Sequence, residues 1–387
     1  MDVATFCRQS SAMIVAGKGG VGKTTVGAAL ARTAAHAGLD ALLLELEGRR
    51  GLAAAFSSEE VLRYDEVVLH DTVAAGAPSP RATAATTGAP GGPAVAPGAP
   101  GRTSDRLGVG AQEELPRRGG RVRARTLTPD EALLEYLENH GMKRVSKRLA
   151  SSGVLDVAAT AIPGIKDILV LGKVKQLARE GSADLVVVDA PAAGHALSFL
   201  GSARGLLEAA RAGPLRAQAT EVDAMLTDPE RCQVILVTLP EEMPVNEAIE
   251  TAYQLEDRVG VHLGPIVVNG VYPDDDLLGI DPAEAAAQAG VSLGPGELEI
   301  LAAAARFRTA RHELQEREIA RLAAELPLPQ LRVPYVFSSE IGAPELETMA
   351  AALADGIARI VGPGAGSGER HDTPVGGGTS TPGAPTP

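Results

Sequence analysis

Apolar residues along this chain form short continuous runs, and longer stretches with helical spacing lie between them. The runs are rich in Val, Ile and Leu without polar alternation, which is typical of strands covered on both faces. They predict strands at Ala12–Ala16, Ala41–Leu46, Asp184–Ala190, Gln233–Leu239 and Pro265–Asn269. Helices are predicted at Lys23–Ala37, Pro129–Asn139, Glu241–Arg258 and Gly296–Ala324. This alternation predicts an α/β fold with a mostly parallel sheet flanked by helices.

Two segments lack any such pattern. Residues 75–120 and 362–387 consist largely of Ala, Pro, Gly, Ser and Thr. Such a composition buries too little apolar surface to fold, so both segments are predicted to be disordered. Too few strands precede residue 75 to complete a sheet. We therefore predict that the first segment is an insertion into one discontinuous domain, formed by residues 1–74 and 121–361, because long surface insertions cost little loop-closure entropy.

Charge, cysteine content and hydropathy argue against a nucleic-acid-binding, disulfide-rich, membrane-spanning or secreted protein. The net charge is −13 over 387 residues, which argues against nucleic acid as a partner, since phosphate backbones require clustered Lys and Arg. Cys7 and Cys232 are too few for a disulfide framework, and we expect two free thiols. No apolar run approaches the ~20 residues that span a bilayer, and the first residues do not resemble a secretion signal. We therefore expect a cytoplasmic protein.

The segment Gly17–Thr25 reads Gly-Lys-Gly-Gly-Val-Gly-Lys-Thr-Thr and matches the phosphate-loop pattern G-x-x-x-x-G-K-[ST]. A strand signal precedes it and a helix signal follows, which is the context this loop requires. Glycines let successive N–H groups point at phosphate oxygens, and the helix N-terminus favours anions. Lys23 supplies positive charge to the β- and γ-phosphates, and the Thr24 hydroxyl is a Mg²⁺ ligand. The predicted nucleotide-binding residues are Gly17, Gly19, Gly20, Val21, Gly22, Lys23, Thr24 and Thr25.

Other motifs accompany this loop. An extra lysine, Lys18, follows the first glycine. A buried strand ends in Asp189 and continues as Ala-Pro-Ala-Ala-Gly-His to His195. A Pro-Gly segment lies at 162–167, and a late strand ends at Asn269. Together these motifs resemble the arsenite-pump and tail-anchored-protein-targeting ATPases over residues 11–69 and 122–360, and in detail a divergent actinobacterial branch of that family.

The resemblance implies roles for several of these residues. Its deviant Walker A loop implies that Lys18 reaches the phosphates held by a facing subunit, which couples ATP binding to dimer closure. It also implies that Asp189 contacts Mg²⁺ through water, that the helix near His195 responds to the γ-phosphate, and that Asn269 reads adenine. Each residue also has a purely structural alternative. Lys18 could be a solvated surface lysine, and His195 an ordinary partly buried histidine. Asp189 and Asn269 could simply end their strands. The cofactors expected are ATP and Mg²⁺.

Departures from the family bear on turnover and cargo. The family's first switch carries an Asp that positions the attacking water, and residues 43–56 contain no Asp. Glu45 or Glu47 could replace it as a catalytic group, or both could be solvated loop carboxylates. ATP binding is therefore better supported than fast hydrolysis. The stretch Ser198–Asp228 is short for a cargo groove and has a single methionine, and no cysteine cluster for arsenite or dimer-bridging zinc pair is present.

Helical spacing over Tyr136–Leu149 and Ile165–Leu177 favours core packing over a cargo surface. The basic stretch 143–148 predicts a solvated face, with an acidic partner or an anionic lipid surface as alternatives. The leading hypothesis is an ATP-hydrolysing switch that acts as a homodimer, or as a heterodimer with a paralogous ATPase, and couples nucleotide state to an unknown partner or cargo. One alternative is a hydrolysis-deficient regulatory half of such a heterodimer. Another is a chromosome- or division-site-positioning ATPase, against which the Gly-His at residues 194–195 counts.

Overall fold

The structure, a computed structural model, describes residues 2–46, 51–72, 119–139, 141–144, 146, 164–273 and 280–360. The strands of the described residues are β1 (Ala12–Gly17), β2 (Asp40–Leu46), β3 (Val67–Asp71), β4 (Arg121–Leu127), β5 (Leu185–Ala192), β6 (Cys232–Thr238), β7 (Ile266–Val271) and β8 (Gln330–Pro334). The helices are α1 (Val3–Cys7), α2 (Lys23–His36), α3 (Gly51–Ala55), α4 (Pro129–Asn139), α5 (Ile165–Glu180), α6 (Ala193–Ala209), α7 (Pro214–Leu226), α8 (Glu242–Gln254), α9 (Pro282–Ala289), α10 (Glu297–Glu325) and α11 (Ala343–Ile360). A π-helical turn, Leu255–Val259, extends α8.

The strands form one eight-stranded sheet in the order β3-β4-β2-β5-β1-β6-β7-β8. Every neighbouring pair is parallel except β3 and β4, which are antiparallel. β1 lies between β5 and β6, so the loop that follows it opens at the centre of the sheet. The predicted α/β fold with a mostly parallel sheet is confirmed.

Both faces of the sheet are covered. Ile14, Leu44 and Val188 belong to a core formed with α5, α6, α7 and α8, while their chain neighbours on the strands belong to a second core formed with α2 and α11. Successive side chains on a strand point to opposite faces, so an entirely apolar strand fills both layers. The carboxyl ends of the parallel strands therefore meet at one uncovered edge, which we call the upper edge.

All five predicted strands are present, and three strands were missed. β3, β4 and β8 carry polar residues, as in β4, where Arg121, Arg123 and Arg125 alternate with Val122 and Ala124. A search for continuous apolar runs finds strands buried on both faces and overlooks strands near the sheet margin. Residues 73–118, which the structure does not describe, separate β3 from β4 along the chain, and these two strands are neighbours in the same sheet. The predicted insertion, apart from Gly119 and Gly120, and the predicted tail lie outside the described residues.

Two predicted helical stretches turned out differently. Ile165–Leu177 lies in α5 and contributes Ile168, Leu171 and Val174 to the core, as its spacing favoured. Within Tyr136–Leu149, α4 ends at Asn139 as predicted, Gly141 turns the chain with a φ of +76°, and Lys143, Arg144 and Ser146 are helical again. Of the basic stretch, Lys143 and Arg144 are described and exposed. No helix of the described residues is both long and apolar enough to cross a membrane.

The two cysteines are buried free thiols in the core. Burial raises the pKa of both Cys7 and Cys232 to about 12. Thiols react as thiolates, so neither is expected to be reactive in the folded chain at neutral pH.

Candidate functional site

The glycine-rich loop connects β1 to α2 at the upper edge and packs directly on its neighbours. A Cβ atom on Gly17 would lie 2.3 Å from the Val237 carbonyl oxygen of β6, so only glycine allows this approach. Gly22 caps α2 with a φ of +89°, and a Cβ there would lie 2.4 Å from Asn269 Nδ2. Gly19 and Gly20 are exposed at the loop surface. The loop thus requires glycine at both ends for reasons of space and backbone conformation.

Lys23 is held inside the loop. It begins α2, its residue exposure is 6%, and its Nζ donates a hydrogen bond to the Lys18 carbonyl oxygen at 3.0 Å. An ammonium group can be buried only where oxygen atoms accept its hydrogen bonds. Its position across the loop suits it to neutralise phosphate oxygens bound by the loop.

Thr24 and Asp189 meet beside Lys23. The Thr24 hydroxyl donates a hydrogen bond of 2.6 Å to Asp189 Oδ2, and Asp189 is only 3% exposed. Asp189 lies opposite Val15 in β1, which brings the end of β5 next to the first turn of α2. Thr25, in the same turn, is half-buried. A hydroxyl and a carboxylate are hard oxygen ligands of the type Mg²⁺ prefers.

A second buried carboxylate stands on the neighbouring strand. Glu45 of β2 is 2% exposed, and its Cα partners are Asp189 on one side and Thr126 on the other. Thr126 Oγ1 donates a hydrogen bond to Glu45 Oε2 at 3.2 Å. Buried carboxylates stay ionised only where cations or hydrogen bonds compensate them. Two of them side by side at the end of the loop fit a site that receives a divalent cation.

The remainder of the predicted first switch is only partly described. Glu47 lies outside the described residues, and its catalytic role stays a prediction. α3 returns to the loop, since a Cβ on Gly51 would lie 3.3 Å from Thr24 Cγ2. Ala54 is exposed and Ala55 is buried, and neither side chain can orient water. Glu45 is therefore the described acid of this region that lies beside Asp189.

Lys18 points away from the loop interior. Its Nζ forms an ion pair of 2.5 Å with Glu247 Oε1 of α8, and the side chains of Lys18 and Glu247 are each 36% exposed. Lys18 and Lys23 therefore occupy different environments although they belong to the same loop. No sequence signal pointed to Glu247, because it lies far from Lys18 along the chain.

Asn269 and His195 lie on either side of the loop. Asn269, near the end of β7, donates a hydrogen bond from Nδ2 to the Val21 carbonyl oxygen at 2.9 Å, which ties β7 to the loop. Its role in reading adenine stays a prediction. His195 is exposed in the first turn of α6. Ala192, which precedes α6, approaches the loop at Gly19.

An aromatic cluster at the ends of β7 and β8 was not predicted. Tyr272, Tyr335 and Phe337 have ring centroids 4.8–5.8 Å apart, and the guanidinium of Arg308 lies over Tyr272 and Phe337. The cluster stands at the upper edge, like the loop. Its members come from three separate elements, so only the packing of β7, β8 and α10 brings them together.

A cavity of about 320 Å³ between α4, α5 and α7 is separate from the loop. At its edge Glu135 accepts hydrogen bonds of 2.5 Å from Lys173 and from the Tyr64 hydroxyl. Burial alone raises the pKa of Glu135, but the bonds from Lys173 and Tyr64 outweigh it and hold the pKa below its usual value. These contacts fasten α4 to α5, and the lining residues include none of the loop.

A mostly parallel sheet whose central strand ends in a glycine-rich loop, with Lys23, Thr24 and Asp189 gathered beside it, defines a P-loop nucleotide-binding fold. The family model of the CobQ/CobB/MinD/ParA nucleotide-binding domain matches residues 12–336, and the chain belongs to this family. It is similar to the ATPase BagA of Mycobacterium tuberculosis, with 29% identity over 319 residues, 81% of this chain and 77% of that protein.

Similarity over a shorter stretch extends to arsenical pump-driving ATPases. That of Escherichia coli is 36% identical over 109 residues, which cover 28% of this chain and 18% of that protein. That of Acidiphilium multivorum is 35% identical over 109 residues, with the same coverage of 28% and 18%. These findings confirm the resemblance that the motifs indicated. The chain is a nucleotide-binding ATPase of the MinD/ParA and ArsA-like type.

Proposed function

We propose that the chain is an ATP-driven dimeric switch that hydrolyses ATP slowly. The observation that supports this most directly is the different placement of its two loop lysines. Lys23 is enclosed by the loop, whereas Lys18 lies on the surface against Glu247. A surface lysine at the rim of a phosphate loop is positioned to contact a nucleotide held by a facing molecule.

Different residues of the chain bind the phosphates and the Mg²⁺ ion. Backbone N–H groups of residues 17–22 and the Lys23 ammonium hold the phosphates, and Thr24 with Asp189 would hold Mg²⁺, Asp189 through a water molecule. When bound, Mg²⁺ neutralises phosphate charge that the protein alone would leave uncompensated. Asp189 is only four residues before α6. A change in what Asp189 contacts is therefore passed directly to the helix that carries His195.

Dimer closure requires Lys18 to exchange partners. Its ion pair with Glu247 is about one-third exposed, and pairs of this kind contribute only ~0–1 kcal/mol. A hydrogen bond to a charged phosphate contributes roughly 1.5–3 kcal/mol. ATP on a facing copy, or on a paralogous ATPase, is thus able to draw Lys18 away from Glu247.

We infer slow hydrolysis because the first switch lacks the Asp that, in the family it resembles, positions the attacking water. Glu45 is the acid we assign to orienting water, and it is nearly buried and hydrogen-bonded to Thr126. The second candidate function is a hydrolysis-deficient regulatory half of a heterodimer, favoured by the alanines of α3 where the family resemblance implies an Asp. ATP turnover by the purified chain alone would rule out this second candidate.

The experiment is sedimentation velocity of the chain with Mg·ATP or Mg·ADP, repeated for Lys18→Ala and Glu247→Gln. We expect the unaltered chain to dimerise more strongly with ATP. Lys18→Ala should lose this response while the single chain still binds a fluorescent ATP analogue. Glu247→Gln, which frees Lys18 without removing it, should dimerise at lower ATP. A Lys18→Ala chain that responds to ATP like the unaltered one would overturn the proposal.

A further inference from the structure

The cavity between α4, α5 and α7 has the size and the walls of a small-molecule site. Its volume of about 320 Å³ is at the lower end of the range for ligand pockets. α5 packs against both other helices and lies between them. A Cβ atom on Gly172 of α5 would lie 1.8 Å from Gln218 Nε2 of α7, so this glycine leaves room for the Gln218 side chain beside the cavity. α5 therefore forms the floor, with Glu135 of α4 and Glu221 of α7 on opposite sides.

This cavity is separate from the nucleotide site. Its described lining residues include none of the phosphate loop. Arg179 and Glu180, the last two residues of α5, are exposed at one end of it. β5 begins at Leu185, so this end of the cavity lies near the amino end of β5, opposite the upper edge of the sheet. A molecule bound here is therefore additional to the nucleotide.

Two lysines of α5, Lys173 and Lys175, are nearly buried beside the cavity, each 8% exposed. Lys173 Nζ lies 2.5 Å from Glu135 Oε1. Lys175 Nζ donates hydrogen bonds to Glu221 Oε2 and, at 3.4 Å, to Gln218 Oε1. An ammonium group has three N–H donors, and buried donors without acceptors are costly. Among the described residues Lys173 has one acceptor and Lys175 has two, which leaves donors of both lysines for a molecule in the cavity.

The charges that line the cavity balance. The described lining residues include three cations and three carboxylates: Lys173, Lys175, Arg179, Glu135, Glu180 and Glu221. Burial raises the pKa of Glu135, but the hydrogen bonds from Lys173 and Tyr64 outweigh it. The bond from Lys175 holds the pKa of Glu221 below its usual value, so both carboxylates are ionised at neutral pH. A ligand with a net charge would leave that charge uncompensated in a half-enclosed space, whereas a ligand with one anionic and one cationic group preserves the balance.

We propose that the cavity binds a free α-amino acid. The ligand carboxylate accepts the remaining N–H donors of Lys173 and Lys175. The ligand ammonium donates to Glu221 Oε1, since only Oε2 of this residue accepts a hydrogen bond from another described residue. Ala132 and Leu169 give the ligand side chain an apolar contact. The site goes beyond the proposed switch and does not depend on it.

Isothermal titration calorimetry of the full chain with each standard α-amino acid, at millimolar concentration, tests the site. We expect at least one amino acid to bind. Its N-acetyl derivative, which lacks the ammonium group, and its amide, which lacks the carboxylate, should each bind at least tenfold more weakly because a charge-assisted hydrogen bond is lost. The proposal is overturned if no amino acid binds, or if either derivative binds as tightly as the parent amino acid.

Three variants assign this binding to the cavity. Lys175→Gln and Glu221→Gln should each weaken amino-acid binding at least tenfold, whereas Arg211→Gln, at an exposed arginine outside the cavity, should leave it unchanged. Binding of a fluorescent ATP analogue reports that the phosphate loop is folded, and it should be the same in all three.

The Glu221 side chain is 57% exposed, so its replacement is expected to leave the fold intact. If Lys175→Gln loses the ATP analogue as well, Glu221→Gln alone decides. Unchanged amino-acid binding in Glu221→Gln overturns the proposal. That outcome leaves the dimeric switch standing, because the switch is tested through Lys18 and ATP.

Discussion

The phosphate loop and residues 297–310 of α10 lie at the same edge of the sheet but differ in how far their side chains are buried. Around the loop, Lys23, Asp189 and Glu45 are nearly buried and hydrogen-bonded within the single chain. Along α10, Ile300 and Phe307 have most of their surface in water. The first region is complete in one molecule. The second leaves large apolar side chains in contact with water.

The two lysines of the phosphate loop show the same difference between a buried and an exposed side chain. Lys23 belongs to the complete region, and Lys18 belongs to the surface that faces outward. Under the proposed switch, the site around Lys23 binds nucleotide within one chain, and Lys18 at the surface passes that binding to a facing molecule. The following predictions test whether the two regions are separable in this way, beginning with the largest expected effect.

Replacement of Lys23 by Ala should weaken the binding of Mg·ATP to the single chain by on the order of a hundredfold, because charge-assisted hydrogen bonds of ~1.5–3 kcal/mol are lost. Isothermal titration calorimetry at a concentration that keeps the chain monomeric measures this. The matched variant Lys18→Ala should lose far less affinity under the same conditions. Equal losses in the two variants would show that the lysines are not divided between the two regions.

Replacement of Asp189 by Asn should weaken binding about tenfold in the presence of Mg²⁺, because one carboxylate charge beside Thr24 is removed. It should also remove any ATP turnover that the chain shows. The control is the same titration with Mg²⁺ chelated, where the change should be small. A loss of equal size with and without Mg²⁺ would assign Asp189 to the packing of the loop and not to the metal.

Replacement of Asn269 by Ala should have the smallest effect, about fivefold weaker ATP binding, because one neutral hydrogen bond contributes ~1 kcal/mol. Competition between a fluorescent ATP analogue and unlabelled ATP or GTP measures the loss for each base. We expect a smaller loss for GTP than for ATP if Asn269 reads adenine. The same loss for both nucleotides would mean that Asn269 only supports the loop through Val21.

Much of the fold and of the loop could be predicted from local pattern. The five central strands were found because strands buried on both faces are uninterrupted apolar runs, and the loop was found because its glycines and lysine occur in consecutive positions. The marginal strands β3, β4 and β8 were missed because their side chains alternate or are polar, which is typical of many segments that are not strands. The helix predicted at Pro129–Asn139 was confirmed with the same bounds, whereas the helical spacing over Tyr136–Leu149 is interrupted at Gly141.

The sequence by itself determined which residues can surround a phosphate, because that property resides in a short stretch of backbone with the required glycines. The tertiary structure alone decided what stands beside that stretch. Strand register brought Glu45 next to Asp189, helix packing brought Glu247 to Lys18, and the length of α10 beyond α8 left Ile300 and Phe307 exposed. These relations join residues that are distant along the chain, so they depend on how the elements pack and have no local pattern in the sequence.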